Sequence, residues 1–315
     1  MQDSKEEKPP SAPDEIVKLS KYKISSDANP REIFWAMVKA CKEGGDVETL
    51  AKRHSGIREA LVNIGCSVLK EESKAYRVKL TRAKLANCLF SMIVLGRWGD
   101  VLERAFSHLY ERKKGPDLNM LLAFGEGFSR HRSVVGPWLK QIITADRPPE
   151  AALSYIANAG DREMILDLRA ELLNIARTEI NEPQLYAMES LSVLLAEDNE
   201  VVKLFLDMMD DWDLETKQLA LETLAGKEIP EAGKKAVSLY PYEQDERFRI
   251  MLERIVDKNW EACKPEFTRL IGSLEGREML EVAALAKKIY GRGAKKLIPD
   301  GLGAEKKKML TSVLG

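Results

Sequence analysis

Residues 217–227, KQLALETLAGK, contain the short pattern that decides the fold class: two apolar residues, Glu, a variable residue and a further apolar residue, at 220–224. The pattern recurs as AMESL at 187–191 and as MLERI at 251–255, so the three copies begin 33 and 31 residues apart. A second apolar segment follows each copy: VVKLFLDMM (201–209), GKKAVSLY (233–240) and PEFTRLIGSL (265–274). Any amphipathic helix can contain the pattern once. Three copies at nearly constant spacing, each with a partner segment, indicate stacked pairs of short helices.

This arrangement resembles a known class of protein. Residues 181–290 resemble HEAT- or armadillo-type α-solenoid repeats, which are short antiparallel helix pairs with Asp or Asn at the turn. The period here is shorter than is usual for HEAT units, and the Pro-Asp-Arg signature is missing. The resemblance implies a right-handed α-solenoid whose curved face binds other proteins or, in a few such proteins, nucleic acid. It implies no catalytic residues.

The rest of the chain is also helical in pattern. From Arg31 onward the apolar residues follow a 3.6-residue period, which predicts an all-α chain of roughly 15 to 17 helices. One helix is predicted over 78–95 and a short final one over 305–314. Acidic or Asn residues stand where helix N-caps are expected: Asp46, Asp117, Asp161, Asn181 and Asp213.

We expect three segments along the chain. Residues 1–30 are polar and rich in proline, which favours a disordered or loosely docked N-terminal tail. Residues 31–290 are predicted to form a HEAT-like helical domain, with irregular repeats over 31–180 and clearer repeats over 181–290. Residues 291–315 form a basic, Gly-rich end piece, which we expect to cap the stack of helices.

Charge is distributed unevenly, although the formal net charge is only -1. Residues 51–150 contain 18 basic and 10 acidic side chains, residues 151–250 contain 10 basic and 21 acidic ones, and residues 251–315 contain 13 basic and 9 acidic ones. Such segregation allows opposite charges to bind different partners or a second copy of the chain. Drift in surface composition explains it equally well.

Other features limit the class of protein. The four cysteines, Cys41, Cys66, Cys88 and Cys263, lie far apart and form neither a disulfide pattern nor a zinc pattern. The N-terminal residues do not resemble a signal peptide, and the longest apolar run, 85–95, is too short to cross a bilayer. We therefore expect a cytoplasmic protein without membrane attachment and without a cofactor.

No local pattern indicates catalysis. The three histidines, His54, His108 and His131, show no metal-ligand spacing, and neither a phosphate-binding loop nor a serine-nucleophile motif occurs. The acidic segment 207–215, DMMDDWDLE, lacks the spacing of a calcium loop, so helix capping is favoured over metal binding there. A site assembled from distant residues would leave no local pattern, so an enzyme of unfamiliar type stays open.

The favoured hypothesis is a non-enzymatic scaffold or adaptor that binds another protein. The candidate contact residues combine exposed aromatic rings with acidic neighbours: Asp210, Asp211, Trp212, Tyr240 and Tyr242. Self-association through opposite charges is a second form of the same hypothesis.

The alternative hypothesis is a nucleic-acid-binding or DNA-repair protein that uses a basic face within residues 70–147. Its candidate contact residues are Lys74, Arg77, Arg97, Trp98, Arg130 and Arg132. A row of cations at successive helix ends can follow a phosphate backbone, and residues 98–100, Trp-Gly-Asp, resemble weakly the Trp and Asp of HEAT-like DNA glycosylases. Against this, residues 129–133 are also typical of a polar linker between two helices, and charged helix faces usually contact water only.

Overall fold

The computed structural model describes residues 22, 24, 28–71 and 81–314. These residues form seventeen α-helices and one short antiparallel pairing, in which Tyr110 lies opposite Pro116 and Glu111 lies opposite Gly115. The predicted all-α class is confirmed. Most of the predicted tail, the start of the helix predicted over 78–95, and the candidate residues Lys74 and Arg77 lie outside the described residues.

The chain divides into two compact units, residues 1–171 and residues 172–315, with the boundary inside helix α9. The helices up to that boundary are α1 (Pro30–Lys42), α2 (Val47–Arg53), α3 (Arg58–Lys70), α4 (Arg82–Leu95), α5 (Leu102–His108), α6 (Leu118–Ile143), α7 (Glu150–Ala159), α8 (Arg162–Asp167) and α9 (Arg169–Thr178). Strands β1 (Tyr110–Glu111) and β2 (Gly115–Pro116) connect α5 to α6.

Acidic side chains begin several helices of the first unit, as the sequence predicted. Asp46 accepts a hydrogen bond from the backbone N–H of Thr49, and Asp161 accepts one from the N–H of Met164. Asp117 caps α6 in the same way and also forms an ion pair with Arg82 at 2.8 Å. Each carboxylate satisfies an N–H group that the helix itself cannot bond, and its charge favours the positive end of the helix dipole.

A cluster of aromatic rings forms the centre of the first unit. Phe106 stacks on Tyr155 with the ring centroids 4.4 Å apart, and Phe124 contacts both rings edge-on. Helices α4 and α6 pack closely at this cluster, because a Cβ atom at Gly127 would lie 2.0 Å from the ring of Phe90. The close approach therefore requires glycine at this position of α6.

Helix α6 corrects the prediction of a linker at 129–133. The chain stays helical from Leu118 to Ile143, but His131 has non-helical backbone angles (φ −126°, ψ 28°), so the helix is kinked there. Pro137 lies inside the helix, where it cannot donate the usual backbone hydrogen bond. The polar residues thus mark a bend within one helix rather than a loop between two helices.

The second unit contains α10 (Glu182–Leu191), α11 (Asn199–Asp207), α12 (Leu214–Ala225), α13 (Pro230–Leu239), α14 (Glu246–Lys258), α15 (Trp260–Ser273), α16 (Gly276–Tyr290) and α17 (Ala304–Leu314). The three pattern copies lie in α10, α12 and α14, and the helices predicted after them are α11, α13 and α15. The starts of α10, α12 and α14 are 32 residues apart in each case.

Helices of the second unit pack on the helix two places further along the chain. Helix α10 contacts α12, α12 contacts α14, and α14 contacts α16. Likewise α11 contacts α13, and α13 contacts α15. The buried side chains are those of the apolar stripe on each helix, such as Leu191, Leu221 and Leu252. A helix of 9 or 10 residues cannot bury such a stripe alone, so these contacts supply its stability.

The C-terminal helix covers apolar surface at the end of the second unit. Helix α17, which matches the predicted final helix, packs on α16 and buries Leu310 and Leu314. Lys306 donates from Nζ to the carbonyl oxygen of Gly272 at 3.0 Å, and Lys287 donates to that of Val313 at 2.9 Å. Basic residues of this segment therefore satisfy carbonyl groups at helix ends.

The contact between α13 and α15 gives a test of the packing. A Cβ atom at Gly233 would lie 2.5 Å from Cβ of Asn259 and 2.8 Å from Sγ of Cys263. We predict that Gly233→Ala lowers the free energy of unfolding by about 1–3 kcal/mol, because the two helices must move apart. Urea denaturation followed by circular dichroism measures the change.

Gly226→Ala is the matched control in the same unit. Gly226 has a negative φ of −92°, and a Cβ atom there would meet no atom of the described residues within 4 Å. We expect this substitution to change the free energy of unfolding by less than about 0.5 kcal/mol. Equal effects of the two substitutions would contradict the close packing of α13 on α15.

Candidate functional site

Four large apolar side chains are exposed around the loops that precede α10, α12 and α14. They are Ile180 (65 % exposed), Trp212 (85 %), Leu214 (59 %) and Tyr242 (59 %), and we call them the apolar row. Ile180 and Trp212 occupy the same position, one residue before the N-cap of their helices, and Gln244 is the corresponding residue before α14. Exposed apolar side chains in such a group are typical of interaction surfaces.

A buried hydrogen bond sets α10 and α12 side by side at their N-terminal turns. Thr216 donates from Oγ1 to Oε1 of Gln184 at 3.1 Å, and both residues are the third of their helix. Gln184 in turn donates from Nε2 to the carbonyl oxygen of Ala176 at 3.1 Å. Because both side chains are buried, losing either partner would leave a polar group without water, so the register is firmly specified.

An ion pair sets α12 and α14 side by side in the same way. Nζ of Lys217, the fourth residue of α12, lies 2.5 Å from Oε2 of Glu243, three residues before α14, and 4.9 Å from the ring centroid of Phe248. Both charged side chains are less than one-fifth exposed. The N-terminal turns of all three helices are therefore neighbours, and so are the loops that carry the apolar row.

The loop before α12 is held by its own carboxylates. Asp213 accepts from the N–H of Thr216 at 2.8 Å, and Asp211 accepts from the N–H of Asp213 at 2.9 Å. The predicted capping role of the acidic segment is thus observed for Asp213, and Asp210 forms an ion pair with Lys235 at 2.7 Å. Trp212, between two fixed residues, projects into solvent on a backbone that is already ordered.

Carboxylates surround the apolar row. Segments 179–182, 207–215 and 242–246 contain no Lys or Arg, and their acidic residues, which we call the acidic rim, are Glu179, Glu182, Asp207, Asp210, Asp211, Asp213, Glu215, Glu243, Asp245 and Glu246. Lys217, Lys235 and Arg247 pair with three of these ten carboxylates, and Glu182 also has an interaction partner. The rim therefore keeps a clear excess of negative charge, which favours cationic partners.

Two carboxylates of the rim have lowered pKa values. Burial alone would raise the pKa of Glu243, but hydrogen bonds from Lys217 and from the N–H groups of Asp245 and Gln244 outweigh it and lower the pKa. Hydrogen bonds from the side chain and the backbone N–H of Arg247 lower the pKa of Asp245 to about 2. Both groups are therefore charged at neutral pH.

Four of the five predicted contact residues, Asp210, Asp211, Trp212 and Tyr242, lie in the neighbouring loops before α12 and α14. The expectation that Tyr240 is exposed was wrong, because it is only 7 % exposed. Its hydroxyl donates to Oε1 of Glu253 at 2.9 Å, and the guanidinium carbon of Arg249 lies 4.6 Å from its ring centroid. Tyr240 thus packs inside the second unit rather than offering a contact surface.

Sequence reasoning missed Ile180 and Leu214. The pattern copies start 33 and 31 residues apart, whereas the helices start 32 residues apart. Applied to the loops, a 32-residue offset places Ile180 in register with Trp212 and Glu182 in register with Leu214. That offset was the signal that could have found Ile180.

The predicted basic face within 70–147 is only partly available. Trp98 was expected to contact nucleic acid, but it is 1 % exposed and packs against Gly96, so its ring cannot stack on a base. Arg97 beside it is exposed and has a positive φ of 59°. The neighbouring Asp100 does not face a ligand either, since it pairs with Arg58 at 2.7 Å.

Arg130 and Arg132 line a groove of about 610 Å³ at the kink of α6. The guanidinium of Arg132 bonds both carboxylate oxygens of Asp167 and Oε2 of Glu163. Those hydrogen bonds raise the pKa of Arg132 and occupy its donors. Arg130 lies 3.8 Å from Glu126 and is largely exposed. The kink therefore offers one accessible guanidinium rather than a continuous row of cations.

The described part of the chain contains no group of three or more His, Cys, Asp or Glu side chains placed to bind a metal ion. Within residues 28–71 and 81–314, no helix combines the length and the hydrophobicity that crossing a membrane requires.

The Lys217–Glu243 pair gives a pH-dependent prediction. We expect Glu243→Gln to lower the free energy of unfolding at neutral pH by about 2 kcal/mol, because Lys217 loses a charged hydrogen-bond partner. The pKa of Glu243 is lowered in the folded chain, so its stabilisation is complete above the ordinary Glu pKa of about 4.3 and is lost as pH falls through the folded value. The difference between the two proteins should therefore shrink in acid.

Denaturant titrations from neutral pH to about pH 3 measure this difference. Glu215→Gln is the control, since Glu215 is an exposed residue of the same rim, and we expect it to change stability by less than about 0.5 kcal/mol at every pH. If the difference between wild type and Glu243→Gln stayed constant down to about pH 3, the ion pair would not be what joins α12 to α14.

No protein-family model matches the chain, and no curated protein matches it. Among solved structures, one engineered protein is similar over 95 % of this chain and 98 % of its own, with 14 % sequence identity and a TM-score of 0.40. A second engineered protein is similar over 73 % of this chain and 94 % of its own, with 15 % identity and a TM-score of 0.32. Likenesses at these scores support no argument about fold or function.

Proposed function

We propose that this chain is a non-enzymatic scaffold or adaptor that binds another protein through the apolar row of its second unit. The observation that supports the proposal is the apolar row itself: exposed Ile180, Trp212, Leu214 and Tyr242 on three neighbouring loops, surrounded by the acidic rim. Exposed Trp and Tyr are the side chains that contribute most to protein interfaces when a partner buries them.

We further propose that the second unit is a HEAT-like α-solenoid of antiparallel helix pairs. The packing of α10 on α12 and α14, and of α11 on α13 and α15, supports this arrangement, as does the 32-residue distance between helix starts. In such a stack corresponding loops lie next to one another, so residues at equivalent positions form a continuous surface. A binding site made of repeated loops follows from that architecture.

Nucleic-acid binding has less support from the described residues. Carboxylates outnumber cations around the apolar row, and carboxylates repel phosphate. In the predicted basic face, Trp98 is buried and Arg132 forms ion pairs with Glu163 and Asp167. The other two candidate arginines in the described residues, Arg97 and Arg130, are exposed. A protein partner with cationic side chains fits the charge of the row better.

Affinity capture from native extract tests the proposal with matched variants. We expect the wild-type chain to retain a partner in stoichiometric amount and the double variant Trp212→Ser/Tyr242→Ser to lose it. Both side chains are more than half exposed, so the variant should keep the wild-type circular dichroism spectrum and thermal unfolding midpoint.

Val193→Ser is the control. Val193 is 40 % exposed and lies in the 3-10 turn that follows α10, at the opposite end of that helix from Ile180. It should retain the partner as wild type does. The proposal fails if the wild type captures no stoichiometric partner, or if the double variant captures the same partner in the same amount.

A further inference from the structure

The spacing between the exposed apolar side chains indicates which conformation a bound partner segment would have. Helices α10, α12 and α14 contact one another in order, and packed helices have axes about 8–10 Å apart. Their N-terminal turns are held in register by the Thr216–Gln184 hydrogen bond and the Lys217–Glu243 ion pair. The loops before α10 and α12 therefore present Ile180 and Trp212, which are in register, about 10 Å apart. The loop before α14 presents Tyr242 two residues before the equivalent position, Gln244.

An extended peptide has the same repeat. A polyproline II helix has three residues per turn and advances about 9 Å per turn, so every third side chain faces the same side. We propose that the apolar row binds an extended segment of a partner protein that has an apolar side chain at every third position and Lys or Arg between them. This inference rests on the proposed protein-binding function and specifies the chemistry of the partner.

The negative charge of the acidic rim favours basic residues in the partner segment. Asp207, Asp210, Glu215 and Glu246 are exposed and lie in segments that contain no Lys or Arg, although Asp210 also pairs with Lys235. A segment with two basic residues between successive apolar ones would place its cations against these carboxylates. Electrostatic complementarity of this kind speeds association and excludes acidic partners.

The charged residues next to the row favour an extended partner over a helical one. An amphipathic helix buries an apolar stripe about 100° wide, so it needs apolar surface on both sides of its axis. The sequence neighbours of Trp212 and Leu214 are charged instead, among them Asp211, Asp213 and Glu215. A single file of apolar side chains matches an extended chain, whose every third residue can face one surface.

Synthetic peptides of one composition test the inference. Each has about nine residues: three apolar residues at every third position occupy seven residues, which span about 19 Å at about 3.1 Å per residue, and one residue flanks each end. One has Leu at every third position and Lys elsewhere, a second has the same Leu residues at alternate positions, and a third has them in one block. Fluorescence anisotropy of the labelled peptides at moderate salt measures their affinity for the full chain.

We expect the period-three peptide to bind about tenfold more tightly than either permuted peptide, which corresponds to about 1.4 kcal/mol. The preference should disappear in Trp212→Ser and persist in Val193→Ser. Equal affinities of the three peptides would overturn the inference, and so would tighter binding of a longer helical peptide with Leu at positions i, i+3, i+4 and i+7.

The experiment separates this inference from the proposed function. If native extract yields a partner that depends on Trp212 and Tyr242 while the peptides show no preference, the inference is wrong and the protein-binding function stands. If sedimentation shows instead that the chain self-associates and that Trp212→Ser abolishes the association, the occupant is a second copy, and the inference is overturned.

Discussion

The structure of the second unit depends on the inability of short helices to bury their apolar stripes alone. Helices of about ten residues must pack on neighbours, and here each packs on the helix two places further along. Apolar contact by itself leaves the register of such helices loosely specified. The buried Thr216–Gln184 hydrogen bond and the Lys217–Glu243 ion pair fix it, because misalignment would strand polar groups away from water.

The same polar groups connect stability to binding. Carboxylates that begin helices, such as Asp213 and Asp245, are required by the free N–H groups of the first turn. Their position at adjacent helix starts concentrates negative charge around Ile180, Trp212 and Tyr242. The charge of the candidate surface is therefore partly a consequence of how the helices are capped, and the exposed apolar side chains are the feature that capping does not explain.

The sequence predicted most of the helices because their signals are local. Asp46, Asp117, Asp161 and Asp213 were recognised as caps, and the apolar period located the stripes. The sequence did not predict features that depend on distant residues. Tyr240 is buried because its ring packs against Arg249 and its hydroxyl donates a hydrogen bond to Glu253. The sequence predicted a linker at the kink near His131, because polar residues are typical both of a linker and of a bend within an exposed helix. The site was found in part, through Trp212 and its acidic neighbours, whereas Ile180 required the exact 32-residue register.

Distances between spin labels on the loops test the central claim most directly. Labels at Ile180→Cys and Trp212→Cys, in a chain whose half-exposed Cys41 is replaced by Ser, should lie about 10 Å apart. Labels at Ile180→Cys and Gln244→Cys should lie about 20 Å apart, two interhelical spacings. Narrow distributions at these values are the predicted result. A separation beyond about 30 Å for the second pair, or a broad distribution, would contradict the side-by-side arrangement of the three helix starts.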